Sequence, residues 1–394
     1  MSNSTAYKPG RHFLQIPGPT NVPERVLRAI DQPVIDHRGP NFGRLGLECI
    51  EGLKAIFQTK AGHVFIYPAS GTGAWEAAIV NTLSPGDKVL MFETGQFAVL
   101  WHKMARDFGL DVHFEPGDWR HGISPARVEE LLRADAGHKI KAVLCVHNET
   151  STGITSQIDQ VRAAMDRAGH PALLMVDAVS SLASTDYRHD EWRVDVSAAG
   201  SQKGLMLPPG LGFNAVSEKA LAASKTAKLP RNFWSWDGMM GPNKTGYFPS
   251  TPAINLLLGL KEAIKLLVQE EGLPQVFRRH ERLAEATRRA VGAWGLELLC
   301  IDPKERSAAL TAVMMPAGLN EAEFRRGILD AFNLSLGAGL GKVAGKVFRI
   351  GHLGDLNELG QCAALCGIEM GLEKFGVPHK KGGVAAALDY LARN

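Results

Sequence analysis

Between residues 60 and 220 short apolar runs alternate with stretches of helical period. Val64–Tyr67, Lys88–Phe92, Val112–Glu115, Ala142–His147, Leu173–Asp177, Val194–Ala198 and Leu211–Val216 have the length and side-chain content of strands, with helical patterns such as Ala74–Leu83 and Ile158–Ala168 between them. Apolar runs of that kind, bounded by helices, predict a mainly parallel sheet covered on both faces. Residues 252–271 carry an amphipathic helical pattern. Beyond it Ala308–Met315, Ala322–Phe332, Lys346–Ile350 and Leu356–Phe375 read strand, helix, strand, helix, which predicts a second, smaller α/β unit. The boundary is placed near 270. This gives a large domain over 21–270, a small C-terminal domain over 271–394, and an N-terminal arm over 1–20. The arm ends in Ile16-Pro17-Gly18-Pro19-Thr20, where two prolines and a glycine favour extended, irregular backbone.

Composition narrows the class. Of 394 residues 45% are hydrophobic and 22% charged, ordinary for a globular protein with a substantial core. A formal charge of +3 and the lack of any long Lys/Arg run argue against nucleic acid as a partner. Five cysteines (Cys49, Cys145, Cys300, Cys362, Cys366) without CxxC spacing argue for free thiols rather than disulfides or a zinc site, and Cys362 and Cys366 fall at i,i+4 of an apolar helical pattern. No apolar run approaches the roughly 18 residues of a membrane span, and Met1–Arg11 has no signal-like core; the expected location is the cytoplasm.

The chemistry gathers just after the strands. Lys203 lies among small residues in Gly200-Ser201-Gln202-Lys203-Gly204, and Asp177 ends a buried strand. A lysine can take up an aldehyde cofactor as a Schiff base, and a buried acid can keep a heterocyclic nitrogen protonated. Taken singly, Lys203 reads as a solvated loop lysine and Asp177 as a helix cap. Ser70-Gly71-Thr72-Gly73, between a strand and a helix, offers backbone N–H groups, hydroxyls and the helix dipole to a phosphate; Glu76 replaces the third glycine of a dinucleotide fingerprint. Gly337–Val343 fails as a nucleotide loop, because Leu336 and Val343 stand where glycine and a hydroxyl are required. Phe97 is placed to stack on a planar ring or to fill the core, and Asn148–Gly153 clusters hydroxyls at the end of a parallel strand. Arg349, alone within a strand, calls for a structural acid or a substrate carboxylate.

Pro17-Gly18-Pro19, Ser70–Gly73, His147–Gly153, Val176–Ser181, Gly200–Lys203 and Phe348–Gly354 resemble, in order, the motifs of the class V aminotransferases, from about residue 12 to the C-terminus. The resemblance implies the α/β fold-type I architecture, with a seven-stranded, mainly parallel sheet, and pyridoxal 5'-phosphate as cofactor. It assigns Lys203 as the Schiff-base lysine, Asp177 to the ring nitrogen and Phe97 to the ring-stacking place often held by tryptophan. Ser70, Gly71, Thr72 and Gln202 would hold the phosphate, with Tyr247 and Thr251 reaching it from the other subunit of a homodimer or dimer-based oligomer. Ser250 beside Thr251 offers a second hydroxyl for that contact. Thr150 would meet the phenolic oxygen and Arg349 the substrate α-carboxylate. The activity implied is transfer of an amino group from a small amino acid to glyoxylate, with serine favoured over alanine, aspartate or asparagine as donor. A cysteine desulfurase-like lyase and a dinucleotide-binding oxidoreductase are the rivals. The first wants a reactive loop cysteine and commonly an imidazole over the ring; the second wants a complete glycine fingerprint.

Overall fold

The computed structural model describes residues 9–394. Its centre is a seven-stranded sheet of β1 (His63–Tyr67), β2 (Lys88–Phe92), β3 (Asp111–Glu115), β4 (Ile140–Val146), β5 (Leu173–Asp177), β6 (Val196–Gly200) and β7 (Gly212–Val216). The strand order is β1-β7-β6-β5-β4-β2-β3. β7 runs antiparallel to both its neighbours and every other pairing is parallel.

Successive residues of each strand feed opposite cores. Val64 and Ile66 join the helices Pro40–Phe57, Ile158–Arg167 and Ile254–Ile264 on one face, while Phe65 and Tyr67 join Gly71–Thr82 and Gln96–Asp107 on the other. Both faces are thereby dry, which is why these strands read as unbroken apolar runs. The expected strand at Val194–Ala198 begins two residues later, at Val196. At Asp195 the backbone still bonds Leu174 and Ser217, but its carboxylate, not a strand carbonyl, accepts the Leu174 N–H (2.8 Å) and the Ser217 hydroxyl (2.9 Å), so regular pairing starts one residue on. The helix expected over 252–271 is regular only from Ile254 to Ile264 and continues as a wider π turn over Lys265–Glu270.

A separate core is built from the long helix Leu273–Trp294, the helices Glu321–Phe332, Glu358–Lys374 and Gly383–Arg393, and the antiparallel pair Leu310–Met314 and Val347–Gly351. Gly337–Val343 is a connection into the second of these strands. Cys362 and Cys366 lie in the helix Glu358–Lys374, and all five cysteines are free. The arm lies on this unit: Phe13–Gln15 pairs in parallel with Leu334–Leu336. It then crosses to the carboxyl ends of the main sheet, where the Thr20 N–H and hydroxyl donate to the carbonyls of Gln202 and Lys203.

Candidate active site

The loops that leave β1, β2, β4, β5 and β6 at their carboxyl ends, together with the arm, enclose a cavity of about 240 Å³. Open α/β sheets place ligands at this edge. β6 delivers Lys203 and Gln202, β5 delivers Asp177, β4 delivers Thr150, and the loops after β2 and β1 deliver Phe97 and the Ser70–Thr72 turn. Gly18 closes the cavity from the arm. Its φ of 98° lies in the region that favours glycine, and a Cβ there would sit 2.5–2.8 Å from the Lys203 side chain and push the lysine aside.

Lys203 is 8% exposed and donates from Nζ to the Pro17 carbonyl. Burial pulls its pKa down to about 8, with the Arg349 charge acting in the same direction and Asp177 and Glu149 opposing it. An amine in that range is available as a neutral nucleophile and proton carrier. Asp177 is 4% exposed; burial pushes its carboxyl up to about 7, opposed by the Val179 N–H at 2.7 Å and assisted by the neighbouring Glu149 charge. No helix follows Asp177, so it is not a helix cap; the Val179 N–H donates to its carboxyl in a local turn, and the same carboxyl faces the cavity. A carboxyl held near neutrality by burial ionises readily when a cationic N–H comes beside it.

Ser70 is the N-cap of the helix Gly71–Thr82, and its side chain makes no capping bond. The first amides of that helix, the Ser70 and Thr72 hydroxyls and the helix dipole therefore meet at one end of the cavity. The Gln202 side-chain oxygen is buried there without a partner. Phosphate at this turn, a ring between Phe97 and the Asp177–Lys203 side and an aldehyde near Lys203 are what this donor set fits.

Arg349 lies behind Thr150. Its Nε donates to the Ala338 carbonyl (2.6 Å) and one Nη to the Thr150 carbonyl (2.7 Å), and among the described residues it forms no ion pair. Burial lowers its pKa to about 10. The Thr150 hydroxyl donates to Ser180 Oγ at 2.9 Å. Tyr247 and Thr251 do not line this cavity: Tyr247 bonds the Gly39 carbonyl at 3.2 Å and Thr251 is exposed. Trp75, edge-on to Phe97 at 6.5 Å, and Val179 line it unforeseen. Trp75 sits one turn into the helix that Ser70 caps, and that spacing was the available signal. No cysteine lines the cavity, and no His/Cys/Asp/Glu group that could hold a metal exists among the described residues.

Comparison with known proteins gives one family. The family profile described as aminotransferase class-V matches residues 12–340. A serine–glyoxylate aminotransferase of Methylorubrum extorquens is 51% identical over 98% of either chain. An L-aspartate–glyoxylate aminotransferase of Paracoccus denitrificans is 47% identical over 95% of each. Among solved structures, the ureidoglycine–glyoxylate aminotransferase of Bacillus subtilis superposes with a TM-score of 0.89 at 27% identity, covering 98% of this chain and 99% of that one.

Proposed function

The chain belongs to the class-V aminotransferases, and on that premise we propose that it transfers the amino group of serine to glyoxylate, giving hydroxypyruvate and glycine by a ping-pong cycle with pyridoxal 5'-phosphate. The observation that carries the reading is the meeting of the Lys203 amine, the Asp177 carboxyl, the Phe97 ring and a free helix N-terminus in one buried cavity. Bound pyridoxal phosphate supplies an aldehyde that takes up amines and a protonated ring that accepts the electron pair left when a proton leaves the substrate Cα.

The chain's own groups do the rest. Lys203 binds the aldehyde and, once a substrate amine has displaced it, moves the proton at the substrate Cα. Asp177, anionic beside the ring nitrogen, keeps the proton there. Phe97 packs on the ring face, and Ser70, Gly71, Thr72 and Gln202 hold the phosphate. Thr150 meets the phenolic oxygen. Arg349, fixed by two backbone carbonyls, turns its remaining N–H groups to the α-carboxylate common to donor and acceptor.

We assign a homodimer in which Tyr247 and Thr251, or its neighbour Ser250, reach the phosphate of the other subunit. Supporting this, Tyr247 and Thr251 lie outside the cavity of their own chain, and buried polar atoms without partners lie close to them in the chain or across the Tyr247–Gly39 contact: both side-chain heteroatoms of Asn243, which ends the preceding helix, and His37 Nε2, two residues before Gly39. The free thiols favour the cytoplasm.

Aspartate is the second reading, favoured by the Paracoccus relative and by Arg38, which is exposed beside Gly39, the residue bonded by Tyr247, and pairs with no acid among the described residues. A second carboxylate would want that second cation. Initial rates with serine, alanine, aspartate and asparagine at fixed glyoxylate test the choice. Serine should lead; a kcat/KM for aspartate tenfold above that for serine overturns it, and turnover with no amino acid sinks the transaminase reading.

A further inference from the structure

Glu149 is fully buried beside the cavity, and the proposed reaction gives it no task. Its carboxylate accepts the N–H groups of Phe97 (3.1 and 3.3 Å), Ala98 (3.1 Å) and Ser151 (3.0 Å) and the Ser151 hydroxyl (2.6 Å). Ser151 Oγ in turn accepts the Gln96 N–H at 2.8 Å. These amides open the helix Gln96–Asp107, whose own N-cap, Gly95, has no side chain to offer. A buried helix end must find acceptors. Here two residues from a distant loop supply them. Every partner of Glu149 donates to it, an arrangement that suits the ionised carboxylate. Gly95 makes the approach possible: a Cβ would fall 2.4–2.5 Å from Glu149 Cγ, Glu149 Cδ and Ser151 Oγ. Its φ of 164° is extended backbone that any residue adopts, so room, not conformation, requires the glycine.

Phe97 is the second residue of that helix, and Thr150 follows Glu149 directly. We propose that Glu149 is a positioning residue, which holds the Phe97 ring and the Thr150 hydroxyl in fixed relation at the cofactor site. The inference rests on the reading of the cavity as a pyridoxal phosphate site. The charge of Glu149 also favours the protonated forms of Lys203, Arg349 and Asp177, the charged groups it acts on around the site.

Three variants test it by amide exchange in the apoprotein and by visible circular dichroism, cofactor dissociation constant, kcat and KM in the loaded protein. Glu149→Gln keeps the shape and removes the charge. Exchange at Gln96–Ala98 should quicken at least about tenfold, in line with the loss of charge-assisted bonds. The visible dichroism should fall by half or more, and kcat should drop about tenfold with little change in KM. Gly95→Ala keeps the charge but crowds the carboxylate off the helix end; it should give the same dichroic loss, and it carries the test if Glu149→Gln does not fold. Ser151→Ala retains the bonds to Phe97 and Ala98 and should move the dichroism less than half as far. Faster exchange in Glu149→Gln or Gly95→Ala with wild-type dichroism, cofactor affinity and kcat overturns the inference, leaving a cap that serves only the fold. A wild-type protein that develops no visible band with pyridoxal phosphate sinks the cofactor reading and the inference with it, whatever the exchange shows.

Discussion

Replacing Arg349 with lysine separates the two jobs proposed for it. The guanidinium is 7% exposed, in the strand Val347–Gly351, and it is held by the Ala338 and Thr150 carbonyls at 2.6 and 2.7 Å. Lysine keeps a positive charge but has no planar fork, so one ammonium cannot serve both carbonyls and a substrate carboxylate. Losing a charge-assisted contact costs about 1.5–3 kcal/mol, which is roughly 10- to 150-fold in kcat/KM. A buried carbonyl left without a donor costs a further ~1–3 kcal/mol, but that cost falls on stability and is read separately from the denaturation midpoint. Because every donor and glyoxylate share the carboxylate, Arg349→Lys should lower kcat/KM for all of them by that factor in steady-state assays. A fall confined to one donor, or less than threefold for all substrates alongside a lowered midpoint, would show that Arg349 is only a strut between Thr150 and Ala338.

Asp177→Asn should cost at least about 10²- to 10³-fold in kcat, as removal of one preorganised electrostatic contact does elsewhere, and a near wild-type kcat would refute its role at the ring nitrogen. A mixed dimer of Lys203→Ala and Tyr247→Phe/Thr251→Ala subunits should regain one unlesioned site if the phosphate contact is made in trans; absence of recovered activity at saturating cofactor would show self-contained sites. Four histidines, His147, His189, His280 and His352, are buried neutral with pKa values drawn from 6.5 to about 3–4 by burial. Below pH 6.5 the unfolded chain therefore binds more protons, and each group removes about 1.4 kcal/mol of stability per pH unit as pH falls towards its folded pKa. Asp177 and Glu149, both raised, act in the opposite sense over their own range. The apoprotein's denaturation midpoint should be lower at pH 4.5 than at pH 7, and an unchanged or higher midpoint would contradict the balance.

The strands and the place of Lys203 and Asp177 in the cavity were legible because in a doubly covered sheet each strand is an apolar run, and the polar groups follow at its carboxyl end within a few residues. Lys203, Asp177, Thr150 and the Ser70–Thr72 turn all obey that rule. What was hidden depends on distant partners. The helix Leu273–Trp294 buries a stripe of Val276, His280, Leu283, Thr287, Ala290 and Trp294, in which a histidine and a threonine replace apolar residues and blur the period. Within the helix the Thr287 hydroxyl and one His280 nitrogen meet the Leu283 and Val276 carbonyls; their remaining sites are met by the Gln361 side chain and the Gly354 N–H only once the small unit has assembled. Glu149 read as one member of a polar loop, since the helix end it caps lies some fifty residues earlier in the chain. The place of Tyr247 and Thr251 could not be read from one chain's periodicity, because their proposed target belongs to a second copy.

Lys203 is proposed to hold the cofactor aldehyde. Reduction of the protein–pyridoxal phosphate adduct with borohydride, followed by peptide mass analysis, tests it directly. One phosphopyridoxyl group per chain is expected, on Lys203, with loss of the visible band and of activity in parallel. Stoichiometric label on another lysine, or full transaminase turnover by Lys203→Ala, would contradict it.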